Sequence, residues 1–591
     1  MLEQKLKFGP GKALLETDGA QWDYCGRADL VQNLQGPFDI LVENKGKGDK
    51  QLHPLLIAFA CPGQGKSRFL QELPGIIEEC RQKKHHAKYT KTVAFLITCE
   101  NGLAAGNWET QEFDADRFVA CRMLWQLRKA NQEAFNKAGA PQTFGEFRAK
   151  CSKLLVPEQV IKAVLEEPKE TIVVIGVDGM QKLVGFEQRS NVDSKATPFY
   201  QVMGTVCRLV NAEEIDPLIV GSVTAIQSVD HSLAGSSQYR HYVKLPLVDS
   251  VKINGEDQVR NHPLKDVLVE DMGGHGRALE ALVSVLKTNL LDGADVMGSV
   301  VTKLLKSYPD LLKFGSESGS ETCDVKSITE VLIAALTGQL IPTNDKLGNI
   351  DPQQLELARL DYEEGHGAYR LQVPYVWLQI MLTKVVDQNN VLKPWGFMDY
   401  AQLAHSPSPD DWEKFNADFR VLKSRTIQNG AQNTVEELHR GAIISSDLTG
   451  LQVINEHLHK YKAKARIATA SSICGNPKGT ADSKAKKPAS GLKEHECRVK
   501  DDEGQESVVS LEQTDVLVLN APQAPAADAV LRLQTDNKLI AECLQMKQGD
   551  SDLDVQTERK KACDADDILV VLRNVQSEAP PGEKLIFVSE A

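Results

Sequence analysis

Between Ala60 and Ser67 the chain reads Ala60-Cys61-Pro62-Gly63-Gln64-Gly65-Lys66-Ser67, two spaced glycines followed at once by a lysine and a hydroxyl. Such a run suits the wrapping of phosphate oxygens by main-chain N–H groups. Gly63 and Gly65 permit a backbone path on which those groups turn inward, and they leave room for close ligand approach. Lys66 is then placed to bridge the outer phosphates, and the Ser67 hydroxyl to ligate Mg²⁺. Pro62 and Gln64 supply the remaining loop positions. The run departs from GxxxxGK[ST] only at its first position, where Ala60 stands for Gly. The chemistry requires a strand that stops abruptly before the loop and a helix that starts after it, whose N-terminus adds positive potential. The apolar run at 54–60 and the helically spaced SRFLQELPGIIEECRQ meet both needs. The implied ligand is a nucleoside triphosphate with Mg²⁺.

A second acidic group should stand at the end of another buried strand and hold the Mg²⁺ hydration shell. TIVVIGVD supplies Asp178. Gly179 follows where a water-polarising Glu would help, so hydrolysis is expected to be slow or to take its base from elsewhere, with Glu100 a candidate. PLIVGSVTAI brings Ser222 and Thr224 to the end of a further strand, where a hydroxyl can sense the γ-phosphate; a hydroxyl bonded to its own backbone is the alternative. GGHGRALEALV places Arg277 at the start of a helix, from which it can reach the nucleotide or simply face solvent.

The elements that must position these groups follow a regular order. Apolar runs at 54–60, 92–99, 171–178, 217–226 and 242–248 alternate with amphipathic segments, which predicts a parallel sheet covered on both faces. FDILVEN, before the first of them, reads as a short strand. From Ala278 to Gly430 the pattern turns helical and predicts a helical bundle beside the sheet. Beyond residue 431 a smaller α/β unit is expected, with strands at 515–520, 529–534 and 538–547 and two more at DILVVLRN and KLIFVSE. The segment 475–507, poor in apolar residues, reads as a disordered linker. The expected division is an extension over 1–50, a P-loop domain over 51–277, a helical region over 278–430 and the small α/β unit over 431–591. The 591 residues carry a net charge of −13, which argues against a broadly basic nucleic-acid coat but not against a local basic groove. Twelve cysteines without a CxxC pair give no support for zinc and favour a reducing compartment. The start lacks an apolar leader and no run reaches membrane-spanning length, so no membrane partner is expected, and the address is cytoplasmic or nuclear.

The PGxGKS loop at 62–67, the VDxxQKL-like segment from Val177 to Leu183 and the GGHxRALE turn from Gly273 to Glu280 together resemble the NTPase module of Crinkler effectors and retrotransposon hot spot proteins, within or near the STAND and AAA-like P-loop ATPases. The resemblance covers roughly residues 50–290 and departs at Ala60, at Gly179 and at Gly276, where Pro is frequent. It implies ATP as the nucleotide and, for a secreted effector, a host cell as the site of action. It further implies a C-terminal nuclease of the PD-(D/E)xK, restriction-endonuclease-like type, acting on DNA with Mg²⁺. Asp528 and the Gln545-Met546-Lys547 run fit that pattern: Asp528 as metal ligand, Gln545 completing the site, Lys547 orienting water. Glu437 is the expected upstream acid, with Glu436 and Glu456 as rivals. The function this supports is an ATP-binding NTPase that regulates an attached nuclease-like domain. The alternative is a non-catalytic nucleotide switch whose C-terminal region binds a protein, and either version allows a homo-oligomer.

Overall fold

A computed structural model describes most of residues 5–384, apart from 84–88, 100–112, 166–169, 184–197, 211–215, 224–237, 260–264, 289–292, 309–324 and shorter gaps, and mainly strands beyond 384. Its centre is a five-stranded sheet: β1 (Leu55–Phe59), β2 (Lys91–Thr98), β3 (Thr171–Asp178), β4 (Asp216–Val223) and β5 (Arg240–Val243). The strands run in the order β2-β3-β4-β1-β5, and every pair is parallel. β1 and β3 are buried along their whole length, as strands covered on both faces must be. β5 stops at Val243, ahead of Pro246, which cannot donate to a ladder.

Helix α2 (Lys66–Lys83) crosses from β1 to β2 and packs on β2, β3 and β4, with α1 (Arg27–Glu43) beside it. The chain then moves back across the sheet, so right-handed crossovers put the Ala115–Gln126 and Pro198–Val210 helices on the opposite face. FDILVEN is therefore not a strand: its first six residues, to Glu43, close α1. Leu30, Val31, Leu34, Phe38 and Leu41 recur at helical spacing and are buried, and the short β-like run is the last turns of that stripe.

The region after Gly276 is not purely helical. Helices Gly276–Thr288, Gly293–Ser307, Val325–Thr337 and Tyr375–Lys384 are joined by an antiparallel sheet in which Ala368–Gln372 lies between Leu340–Pro342 and Arg359–Glu363. These strands are three to five residues long and one reads RLDYE, too short and too charged for an alternation signal to emerge. One apolar core runs from Leu6 to Met381 through sheet and helices alike. Among the described residues no helix is long and apolar enough to cross a membrane.

Beyond residue 430 a second, mixed sheet forms. Val516–Leu519, Ala529–Thr535 and Leu539–Gln548 are successive antiparallel neighbours, and Ile568–Asn574 joins the last of them in parallel. His459–Ala463 flanks Val516–Leu519 in parallel on the other side. The latter part of the segment expected to be disordered contributes a hairpin, Glu496–Lys500 with Glu506–Ser510, in which Cys497, Val499 and Val509 are buried. Arg420 and the fully buried Glu542 form a two-pronged ion pair, with both N···O distances 2.8 Å.

Gly176 on β3 faces Leu70 of α2, so close that a Cβ built there would meet Leu70 Cδ2 at 3.4 Å. Leu70→Ala opens a cavity at this contact and should cost about 2–5 kcal/mol. A lowered urea midpoint with the slope unchanged is the expected observation.

Candidate nucleotide site

The loop after β1 takes the path its glycines allow. Gly63 and Gly65 have φ of +84° and +86°, the left-handed region that side-chain-bearing residues avoid. Gln64 closes the loop from within, its Oε1 accepting from Cys61 N–H at 2.7 Å. Helix α2 begins at Lys66, whose buried ammonium donates to Ala60 O at 2.7 Å and Cys61 O at 2.9 Å. Lys66 is thus kept inside the loop's own curve.

Strand order builds the acidic part of the site. β4 lies between β1 and β3, and the registers Ala58↔Ser222 and Val177↔Gly221 bring Ser222 between the P-loop and Asp178. Ser222 Oγ donates to Asp178 Oδ1 at 2.8 Å, and Ser67 Oγ donates to Asp178 Oδ2 at 2.9 Å. Asp178 is only 3% exposed, so both carboxylate oxygens need partners and both have one. Gly179 N–H in turn donates to Ser222 Oγ at 3.2 Å. Gly179 itself sits at φ +73°, which explains why no acid follows Asp178: a Glu there would need a strained backbone. Of the two hydroxyls read as γ-phosphate sensors, Ser222 is bonded to the acid rather than to its own backbone. Thr224 and Glu100 lie outside the described residues.

The GGHGRALE turn lands on the loop. Gly273 and Gly274, at φ +59° and +66°, bend the chain so that His275 Nε2 donates to Pro62 O at 3.1 Å. A carbonyl accepts only, so this nitrogen carries the proton, and the buried Nδ1 has no hydrogen-bond partner. Burial, with Arg277 and Lys66 nearby, pushes the His275 pKa down to about 3, so the ring stays neutral. Arg277 lays its aliphatic stem against Gly63, and its guanidinium rests over the Tyr308 ring, 4.6 Å from the centroid. It meets the loop through its stem. His275 escaped the sequence reading, although the Gly-Gly pair before it was a legible mark of a special turn.

Two further contacts enclose the loop. Cys61 Sγ lies 3.7 Å from Pro352 O, and burial pushes this thiol up to about 12. Arg68, next to Ser67, holds the N-terminal segment, donating to Trp22 O at 2.9 Å and also to Gly19 and Ala20 carbonyls. Gly19 N–H reaches Glu280 of the Gly276–Thr288 helix at 2.8 Å.

In the C-terminal sheet Asp528 stands one residue before the Ala529–Thr535 strand, its N–H bonded to Leu544 O at 2.9 Å. Gln545 and Lys547 lie on the neighbouring Leu539–Gln548 strand, in register with Val571 and Arg573. The backbone thus brings Asp528 next to Gln545. Glu437, Glu436 and Glu456 lie outside the described residues.

A five-stranded parallel sheet, a glycine loop opening a helix and an acid met by the helix's first hydroxyl define a P-loop NTPase module. In sequence the chain is similar to Crinkler effector protein 108 of Phytophthora sojae, at 27% identity over 367 residues, 59% of this chain and 42% of that protein. It therefore spans less than half the length of that relative. No established protein-family profile matches the chain. Among solved structures it aligns with the Walker-type ATPase PABY2304 of Pyrococcus abyssi, at 12% identity and a TM-score of 0.33, over 61% of this chain and 96% of that one. It also aligns with PCH-2 of C. elegans, at 11% identity and a TM-score of 0.28, over 49% and 71% of the two chains.

A Cβ on Gly63 would lie 2.6 Å from His275 Cε1 and 2.7 Å from Arg277 Cδ, besides demanding φ +84°. Gly63→Ala should destabilise the protein by about 1–3 kcal/mol and weaken nucleotide binding, read by thermal unfolding and nucleotide titration. His275 makes a pH prediction as well. Its pKa is about 6.5 when unfolded and about 3 when folded, so the unfolded chain takes up the proton first. Its contribution is intact above about pH 6.5 and is lost as pH falls toward 3. Urea unfolding across that window should show a shallower pH slope for His275→Gln than for the wild type.

Proposed function

We propose that this chain is an ATP- and Mg²⁺-binding switch whose P-loop module controls the C-terminal sheet, in the manner of a Crinkler-like effector. The observation that carries the reading is Asp178 held between the Ser67 and Ser222 hydroxyls at the mouth of a glycine loop containing Lys66. These donors suit the ligands: hard oxygens of Ser67 and Asp178 for Mg²⁺, and the N–H groups from Pro62 to Ser67, less the proline's, for phosphate. Bound Mg²⁺ would neutralise charge on the outer phosphates. Lys66 would exchange its two carbonyl partners for those phosphates, and Ser222 would fix Asp178 in place. With glycine after Asp178, turnover is slow and the nucleotide acts as a signal. Arg277 and His275 connect the loop to the helices beyond Gly276, which gives the signal a route outward.

The controlled activity we assign to the C-terminal sheet is Mg²⁺-dependent DNA cleavage by Asp528, Gln545 and Lys547, with Glu437 as the upstream acid. Three antiparallel strands with a fourth parallel to the third, Asp528 entering the second and Gln545 and Lys547 on the third, support it. A non-catalytic sheet that binds a protein partner or a second copy of the chain is the competing reading.

Lys66→Ala should weaken binding of a fluorescent ATP analogue about tenfold to a hundredfold, since a charge-assisted contact is lost. Unchanged affinity in a folded variant would refute the nucleotide assignment. In a plasmid-nicking assay with Mg²⁺, Asp528→Ala and Lys547→Ala should each abolish cleavage, and Lys66→Ala should remove its dependence on ATP. No cleavage by folded wild type, with or without ATP, would leave the switch reading standing and exclude the nuclease.

A further inference from the structure

Two helices begin at the P-loop, and a third element joins their first turns. Ser67 and Arg68 lie in the first turn of α2, and Arg277 and Glu280 at the start of the Gly276–Thr288 helix. Between them stands the 3₁₀ turn Asp18–Gln21, followed by Trp22. From the α2 side the Arg68 guanidinium spans the carbonyls of this turn, donating to Gly19 O at 3.3 Å, to Ala20 O and to Trp22 O at 2.9 Å. Glu72, one turn along α2, pairs with Arg68 at 2.9 Å and fixes the direction of its fork. From the other side Glu280 Oε1 accepts the Gly19 N–H at 2.8 Å. The fit is close: a Cβ built on Gly19 would lie 2.6 Å from that oxygen. The segment is anchored on either side of the turn as well. Leu14 and Trp22 are buried, and Leu15 N–H donates to Gln71 Oε1 of α2 at 3.2 Å.

These contacts close a ring around the phosphate loop. Ser67 adjoins Arg68, Arg68 holds the turn, and the turn is held by Glu280. Three positions before Glu280, on the same side of its helix, is Arg277, whose stem lies against Gly63. The side chains of Asp18 and Gln21 are exposed, so the turn meets both charged groups with its main chain.

We propose that the Asp18–Trp22 turn is a strut that sets the Gly276–Thr288 helix against α2, with Glu280 a positioning residue for the P-loop that acts through Arg277. This rests on the nucleotide reading above. A phosphate loop binds well when its N–H groups are held inward before the ligand arrives, and the groups behind it do the holding. With Glu280 engaged, the start of the helix bears on Gly63 from outside. Released, the helix can tilt away, Gly63 loses that backing, and affinity for the triphosphate falls.

Two variants of the full chain break the contact from opposite sides, and neither residue belongs to the phosphate loop. Glu280→Ala removes the acceptor. Gly19→Ala, in a 3₁₀ backbone that any residue can adopt, pushes the carboxylate away. Each should weaken binding of a fluorescent ATP analogue about threefold to tenfold, the range of one net hydrogen bond. Combined, they should weaken it no more than Glu280→Ala alone, because the three atoms nearest the added methyl all belong to Glu280. Glu280→Gln, which keeps an oxygen for Gly19, should restore most of the affinity. Joined to Arg277→Ala, Glu280→Ala should cost less than the product of the separate effects. A lowered melting temperature with an unchanged dissociation constant in both folded variants would overturn the strut, as would effects that multiply with Arg277→Ala. Lys66→Ala separates this inference from the one it rests on. If Lys66→Ala weakens binding while Glu280→Ala and Gly19→Ala do not, the strut alone falls; if it too has no effect, both fall. Should Glu280→Ala fail to fold, Gly19→Ala, alone and with Arg277→Ala, decides the question.

Discussion

A carboxylate that is 3% exposed must have both oxygens met, and for Asp178 the partners are hydroxyls from two other elements. Ser67 belongs to the first turn of α2 and Ser222 to the end of β4. The three therefore converge only if β4 lies between the P-loop strand and the acid's strand. The observed order β2-β3-β4-β1-β5 does this, and the crossovers it demands place α1 and α2 on one face and the remaining sheet helices on the other. Gly179 belongs to the same arrangement: a left-handed residue directly after Asp178 turns its N–H back onto Ser222. The backbone that steadies the acid is thus also the reason no second acid follows it.

The loop opposite Asp178 is held from outside. His275 takes the Pro62 carbonyl, the Arg277 stem covers Gly63, and Cys61 lies against Pro352. All three partners come from the chain beyond the parallel sheet. These contacts join the loop to the Gly276–Thr288 helix and to Pro352, which stands between two strands of the small antiparallel sheet. A neutral, buried imidazole suits this role, since it gives one directed hydrogen bond without placing a further positive charge beside Lys66.

The C-terminal sheet obeys a different constraint. Two of its neighbouring strands, Leu539–Gln548 and Ile568–Asn574, are parallel, and parallel neighbours need a crossover of a dozen residues or more. The interval between Gln548 and Ile568 is long enough to supply one. Glu542, buried against Arg420, fastens the Leu539–Gln548 strand to a segment more than a hundred residues earlier, at a point close in sequence to Gln545 and Lys547. An ion pair this deeply buried is costly to break from one side only.

What the residues alone determined was local. Gly63, Gly65, Lys66 and Ser67 lie within one short run, and the chemistry expected of them follows from spacing along one loop. Asp178 was legible because a buried strand that ends in an acid is a local pattern too. The parallel sheet followed from apolar runs alternating with helices, and the backbone proximity of Asp528 to Gln545 from two neighbouring strands joined by one turn. Ser222 became the partner of Asp178 only through strand order, which no single segment encodes. His275 and the sheet at 340–372 likewise join positions far apart in the chain. FDILVEN looked like a strand for the same reason, since its apolar stripe is recognisable as helical only together with Leu30, Val31 and Leu34. Periodicity and loop chemistry are properties of neighbours in sequence, whereas hydrogen-bond partners of buried polar groups are decided by which elements the core brings together.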